Sequence, residues 1–256
     1  MHYTATMQTF RGRDGAGRVI RMCGRYTLTT TEGDLAEAFA LDASPHVEPR
    51  YNIAPTQDGS VVRILDGGGP RELHQLRWGL IPSWARDPSL GNRMINARSE
   101  SVETKPAFRA AFRRRRCLVP SDGFYEWRRD GKRKQPFCIR RQDQRPFAFA
   151  GLWEHWEGPD GEPIDSFAIL TTEPNDVLRP LHHRMPVILA PHSYDLWLDP
   201  KMEDTETLKQ LLKPSPAREL AAYPVSTRVN NPVHDDPSCL TRIDGSDGPD
   251  QPLEYR

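Results

Sequence analysis

Val61-Val62-Arg63-Ile64-Leu65, then Asp66-Gly67-Gly68-Gly69-Pro70, then Glu72-Leu73-His74-Gln75-Leu76-Arg77-Trp78: this stretch decides the fold class. The β-branched run reads as a strand, the glycine-proline run as a turn, and the polar-apolar alternation of 72–78 as a second strand. Outward from it, 117–120, 137–140, 147–152, 167–171 and 187–190 also read as strands. Helices are expected over 31–40, where Thr30 or Thr31 caps and Leu35, Ala38 and Phe39 share a face, and over 106–116, 175–181, 193–198 and 204–212. Residues 50–57 read as a turn-rich segment around Pro55. Strands dominate, turns rather than regular helices separate them, and no βαβ repeat occurs. The expectation is an α+β fold, a single domain with a curved, barrel-like mixed sheet flanked by short helices.

The chain has 256 residues, 37% of them hydrophobic, and 24 prolines, which fits many turns and few long helices. Thirty-five basic residues balance 35 acidic ones, so any polyanion site must be a local cluster. The four cysteines (Cys23, Cys117, Cys138, Cys239) form no CxxC pair, which argues against a zinc ribbon or a disulfide framework and for a reduced, cytoplasmic protein. No segment approaches the roughly 18 apolar residues of a membrane span. No Gly-x-Ser-x-Gly elbow, P-loop or HExxH occurs, and no metal or cofactor is expected.

Residues 1–21 lack the apolar core of a signal peptide and hold four arginines and three glycines against one acid. They read as a flexible or non-native extension. Met22-Cys23 reads as a second translation start, and trimming Met22 would leave Cys23 with a free α-amine beside its thiol. The domain is expected over 22–235, and 236–256, rich in Asp, Gly, Pro and Ser, as a disordered tail.

Polar residues of catalytic type sit inside apolar runs. Asn96 and Arg98 lie in Met94-Ile95-Asn96-Ala97-Arg98-Ser99-Glu100, and Glu126 in Asp122-Gly123-Phe124-Tyr125-Glu126-Trp127. His182, His183 and Arg184 precede Met185-Pro186-Val187. Each has a plain alternative: Asn96 bonding a turn, Glu126 the outward residue of an edge strand, the histidines a solvated helix end. Together they suggest acid-base chemistry, because a glutamate among aromatic rings has its pKa raised by desolvation. Lys105, Arg109 and Arg113 to Arg116 place six cations in twelve residues without an acid, and Arg128, Arg129, Lys132, Arg133 and Lys134 follow. Such runs are either a solvated face or, beside Trp78, Trp84 and Phe124 to Trp127, the cation-and-ring pattern of single-strand binding.

Six stretches in order carry a family resemblance: Met22-Cys23-Gly24-Arg25-Tyr26, Tyr51-Asn52-Ile53-Ala54-Pro55-Thr56, Trp78-Gly79-Leu80-Ile81-Pro82-Ser83-Trp84, Ile95 to Glu100, Arg116 to Trp127, and His182-His183-Arg184-Met185-Pro186-Val187. The chain resembles the SOS-response-associated peptidase (SRAP) family of abasic-site processing proteins from residue 22 to about 235. The resemblance implies a barrel-like sheet, a single-stranded DNA groove, and a cysteine, Cys23, that links covalently to abasic sites. It assigns catalytic roles to Cys23, Asn96, Glu126 and His182, leaves His183 without one, and makes Arg25, Trp84 and Arg98 DNA-binding residues. The partner implied is single-stranded DNA containing abasic sites, engaged by a monomer in the DNA damage response. Two other readings stand: a cysteine peptidase that processes itself before Cys23, with Glu126 or His182 assisting, and a non-covalent single-stranded DNA-binding module. A lyase activity accompanies the first reading.

Overall fold

The computed structural model describes residues 24–65, 68–131, 133–158 and 161–243. The hairpin over 61–78 forms with its first strand at Asp58–Arg63 in place of 61–65, and residues 66 and 67 of the expected turn lie outside the described residues. Strands β1 (Tyr26–Leu28) and β2 (Arg50–Ile53), with helix α1 (Glu32–Phe39) between them, precede β3 (Asp58–Arg63) and β4 (Glu72–Trp78). Strands β3 and β4 pair antiparallel from Asp58 opposite Arg77 to Arg63 opposite Glu72. Next come β5 (Asn96–Arg98), helix α2 (Arg109–Arg114), β6 (Arg116–Ser121), β7 (Gly123–Asp130) and β8 (Arg133–Arg141). Two long strands follow, β9 (Phe147–Glu157) and β10 (Pro163–Thr172), then the short β11 (Met185–Pro186) and β12 (Ile188–Leu189). Helices α3 (Tyr194–Leu198) and α4 (Thr205–Gln210) and strand β13 (Leu220–Pro224) complete the regular elements.

Strands β10, β4, β3, β6 and β9 form a ring that closes where β9 pairs again with β10. The pairing is mixed: β4 runs parallel to β10, and the other neighbours in the ring are antiparallel. Closure removes the exposed edges that an open sheet of this length would present. Large rings fill the space between the barrel and the second sheet. Trp78 stacks on Phe167 with centroids 6.1 Å apart, and Tyr26 meets Trp78 edge-on at 5.2 Å. The Trp78 indole N–H donates to the Ile95 carbonyl at 2.9 Å, so a buried polar atom also fixes the connection leading to β5. That connection passes close to its own start. A Cβ at Gly79, which has φ 133°, would stand 2.7 Å from the Gly91 carbonyl oxygen.

The second sheet has the order β13-β8-β7-β1-β2, with β7 in the middle. One face carries Tyr26, Phe124, Phe137 and Ile139 into the main core. The opposite face carries Tyr125, Cys138 and Tyr223 into a smaller cluster closed by Val225, Val229 and Cys239.

Several sequence expectations are corrected. Residues 175–181 form turns instead of a helix. The Asn175 side chain accepts from the Leu178 amide at 3.1 Å, and Pro180 has no N–H to continue a helical ladder. Residues 50–53 of the supposed turn segment form β2, and only the part after it turns. Strands β1, β5, β11 and β13 are not among the expected strands, since two to five residues are too few for alternation to register, and neither is the eight-residue β7, whose apolar and aromatic residues lie on both faces. The folded region also extends past Asp235: Pro237–Leu240 is a 3-10 helix capped by Asp236, Cys239 is buried, and Arg242 bridges to Val225. Its polar residues are specific caps, which composition alone reads as disorder. Residues 1–21 and 244–256 lie outside the described residues.

Candidate active site

Glu126 is 2% exposed on the central strand of the second sheet, which excludes the edge-strand alternative. Side chains alternate along a strand, so Tyr125 and Trp127 point to the opposite face and only Phe124 shares Glu126's side. The ring across from it is Phe137 of β8, its direct register partner. The expected enclosure by three sequence neighbours is therefore one neighbour and one cross-strand ring.

On the other side of β7, β1 runs antiparallel, with Tyr26 opposite Phe124 and the Tyr125 amide donating to the Arg25 carbonyl at 3.0 Å. The strand itself ends at Tyr26, and Gly24 precedes Arg25 outside it. Cys23, the next residue back, lies outside the described residues.

Arg25 is turned to a structural task. Its guanidinium donates to Asn52 Oδ1 at 2.9 Å and to the carbonyls of Val229 at 2.6 Å and Asn230 at 3.2 Å. Buried Asn52 donates to the carbonyls of Val229, Asn231 and His234, and the Trp127 indole donates to Asn230 Oδ1 at 2.7 Å. Arg25, Asn52 and Trp127 thus lock the segment around residue 230 beside the start of β1. Half-buried Arg25, which the family resemblance makes a DNA-binding residue, makes these contacts through Nη1 and Nη2.

Strand β5 lies parallel to β10, Asn96 opposite Ile169 and Arg98 opposite Thr171. Asn96 is half-buried, whereas Arg98 is exposed and has no acidic partner among the described residues. The same end of β10 receives Arg184, whose Nη2 donates to the Thr171 carbonyl at 2.6 Å and to Glu100 Oε2 at 2.8 Å. A second contact from Nη1 to Glu100 makes the pair bidentate. Sequence reasoning gave Arg184 no role, and here it fixes the turn that carries His182 against β5 and β10.

His182 and His183 stack with ring centroids 4.3 Å apart. His182 Nδ1 accepts from the Arg184 amide at 3.1 Å, so the neutral ring carries its proton on Nε2. Nε2 is buried without a hydrogen-bond partner among the described residues. Burial, reinforced by His183, Arg129 and Arg184, lowers the His182 pKa to about 4. His182 is therefore a neutral N–H donor at physiological pH. Together with Trp127, Arg129, Pro174, Arg179 and Leu181 it lines a cleft of about 520 Å³.

The lowered pKa has a thermodynamic consequence. The unfolded chain binds a proton near the usual histidine value, and the folded chain does not until about pH 4. Stability contributed by neutral His182 is intact above about pH 6.5 and is lost as pH falls from there towards 4. His182→Gln is expected to flatten that part of the curve, with melting temperatures at pH 7 and pH 5 lying a few degrees closer together than in wild type. Equal pH slopes in the two proteins would contradict this. His183, also shifted down, leaves a residual slope.

Two expected elements stand apart. Trp84 is 59% exposed, but its neighbour Ala85 receives the Trp156 indole N–H, and Trp156 lies opposite Ile164 at the far end of β10 from Arg98. The basic run 105–116 splits. Arg114 pairs with Glu203 and Arg115 with Glu154, while Arg116, 3% exposed, donates to the carbonyls of Phe112, Trp197 and Asp199. Three of its six cations are structural, and helix α2 packs on β6 and β9. Among the described residues no group of His, Cys, Asp and Glu is arranged to hold a metal ion, and no helix is long and apolar enough to cross a membrane.

Comparison with known proteins agrees with this geometry. A family model described as SOS response associated peptidase (SRAP) matches residues 22–232. Abasic site processing protein YoqW of Bacillus subtilis is 43% identical over 223 residues, spanning 86% of this chain and 99% of that protein. Abasic site processing protein HMCES of Xenopus tropicalis is 31% identical over 265 residues, spanning 87% of this chain and 78% of that one. A Bacteroides thetaiotaomicron protein of known crystal structure superimposes with a TM-score of 0.77 at 27% identity, over 86% of this chain and 100% of that one. With the ordered motifs, the closed barrel and these relatives in agreement, the chain belongs to the SOS response associated peptidase (SRAP) family.

Proposed function

We propose that this protein processes abasic sites in single-stranded DNA during the DNA damage response by forming a thiazolidine crosslink through Cys23. The observation that supports the reading is the β1–β7 pairing, with Tyr26 opposite Phe124 and the Tyr125 amide on the Arg25 carbonyl, which brings Arg25, two residues after Cys23 in sequence, beside the residue that precedes buried Glu126. The chemistry requires Cys23 to bear a free α-amine, reached by initiation at Met22 with methionine removal or by cleavage before Cys23.

The open-chain abasic sugar presents a C1′ aldehyde. The α-amine of Cys23, with an ordinary pKa of about 7.7–8.0, is partly neutral at physiological pH and adds to that carbon. Loss of one water from the carbinolamine gives the imine. The thiol sulfur then adds to the imine carbon, and the thiol proton ends on nitrogen, closing a five-membered ring. Glu126 moves protons during ring opening and dehydration. The Nε2–H of His182 donates to the departing or ring oxygen, and Asn96 orients the amine. Arg98, exposed and without an acidic partner among the described residues, meets a phosphate. A bare imine invites β-elimination and strand cleavage, the lyase reaction that ring closure suppresses. One chain carries every group named, so a monomer suffices, and such a substrate fits a cytoplasmic, nucleoid-associated protein.

The test uses protein beginning at Cys23 and single-stranded DNA with one abasic site, resolved on a denaturing gel. A heat-stable shifted band is expected, formed about 100-fold more slowly by Glu126→Gln. Arg98→Ala is expected to weaken binding and reduce the salt slope by ~0.7 without changing the adduct's heat stability. Absence of any covalent species with intact Cys23 would sink the reading and leave the non-covalent module.

A further inference from the structure

We propose that the β7–β8 hairpin carries a phosphate-binding ridge, centred on Arg129 and Lys134, that holds the DNA strand flanking the lesion nucleotide. The proposal rests on the single-strand reading above and extends it beyond the reacting sugar.

Arg129 and Lys134 are direct register partners across the hairpin, and both are exposed. Side chains of directly opposed residues share a face and stand about 5 Å apart, where like charges repel. Neither has an acidic partner among the described residues. A hairpin that only had to fold would gain by opposing Arg129 with an acid. The repulsion is relieved when a polyanion lies across both cations. Strand alternation puts this pair on the same face as Trp127, and Arg129 together with Trp127 walls the His182 cleft. The ridge therefore begins where the lesion cleft ends. Arg128 faces the other way, its guanidinium 5.0 Å from the Phe137 ring centroid, and has a structural explanation that Arg129 and Lys134 lack. With 35 basic and 35 acidic residues overall, attraction for DNA has to come from such local alignments.

The experiment measures binding of a lesion-free single-stranded 20-mer to the full chain by fluorescence anisotropy across a salt series. Lys134→Glu is compared with Lys201→Glu, an exposed position beyond α3 that receives the same change of charge. Lys134→Glu is expected to weaken binding about tenfold and lower the log–log salt slope by ~0.7 or more, with Lys201→Glu near wild type. It also sets an acid opposite Arg129, so thermal stability should hold or rise. Crosslinking to a trinucleotide with a central abasic site, which meets far less of the ridge than a 20-mer does, should lose much less than binding of the 20-mer. Equal losses in the two charge variants, a lowered melting temperature for Lys134→Glu, or an equal loss on the trinucleotide would overturn the ridge. The lesion-free strand carries no aldehyde, so a protein with ridge-dependent binding but no adduct would defeat the crosslinking chemistry and leave the ridge standing.

Discussion

Cys23→Ala is expected to abolish the heat-stable adduct with abasic DNA, a loss of at least about 100-fold against protein beginning at Cys23. Alanine keeps the α-amine, so an imine still forms, but no sulfur is present to trap it. The product is a reversible species that reduction by borohydride captures and heating destroys. Strand cleavage should rise in its place, because the unprotected imine undergoes β-elimination. Cys23→Ser should behave almost like alanine under heat, since an oxazolidine hydrolyses more readily than a thiazolidine. A full-intensity, heat-stable band from Cys23→Ala would point to a different nucleophile. Blocking the amine instead of removing the thiol is the complementary arm. A chain that keeps residues 1–22 ahead of Cys23 carries an amide there, and it should form no adduct unless it is cleaved. Intact-mass spectrometry reads that cleavage directly.

Asp122→Ala is expected to lower the stability of the fold by about 3 kcal/mol or more, equivalent to a melting temperature roughly 6–12 °C lower. Asp122 is 4% exposed at the junction of β6 and β7. Its carboxylate accepts from the hydroxyls of Thr29 at 2.8 Å and Thr30 at 3.1 Å, and also from the Thr27 hydroxyl and the Thr29 amide. Hydrogen bonds to a charged group contribute about 1.5–3 kcal/mol each and do not add fully. Alanine leaves the half-buried amide and hydroxyl of Thr29 without this acceptor, and leaves the buried Thr27 hydroxyl only its longer contact to the Gly123 carbonyl at 3.2 Å. The effect should reach the site, because this clamp anchors the far end of β1, whose near end leads to Arg25 beside Tyr125, the residue before Glu126. Crosslinking by Asp122→Ala should therefore fall off at a lower temperature than in wild type, in step with unfolding. A denaturant midpoint within about 1 kcal/mol of wild type would show that the threonines find other partners.

Much of the fold was legible because hydrophobic alternation and turn chemistry act locally. The 61–78 hairpin, helix α1 with its Thr31 cap, and strands β6, β8, β9 and β10 follow from such signals. What escaped depends on partners distant in sequence. Strand β5 has three residues and exists because β10 offers it a parallel edge. Strand β13 forms against β8, and Asp235, where the supposed tail begins, is held by the Arg50 side chain and the amides of Tyr51 and Asn52. The site divides similarly. Glu126, Asn96 and His182 stood out as polar residues in apolar settings, whereas Arg184 looked like one more arginine and only its bidentate contact with Glu100 sets it apart.

By itself the sequence determined that this chain is a strand-rich α+β domain, that its motifs run in SRAP order, and that Cys23 follows a methionine. Those facts are written in local patterns and residue identity. Only the tertiary structure decided which charges are available and which are committed. Arg25 and Arg116 are bound to backbone carbonyls, Arg114 and Arg115 to carboxylates, while Arg98, Arg129 and Lys134 face solvent unpaired among the described residues. The reason is physical: a charge becomes structural or functional according to the groups that the fold brings within hydrogen-bond distance, and sequence spacing does not encode that distance.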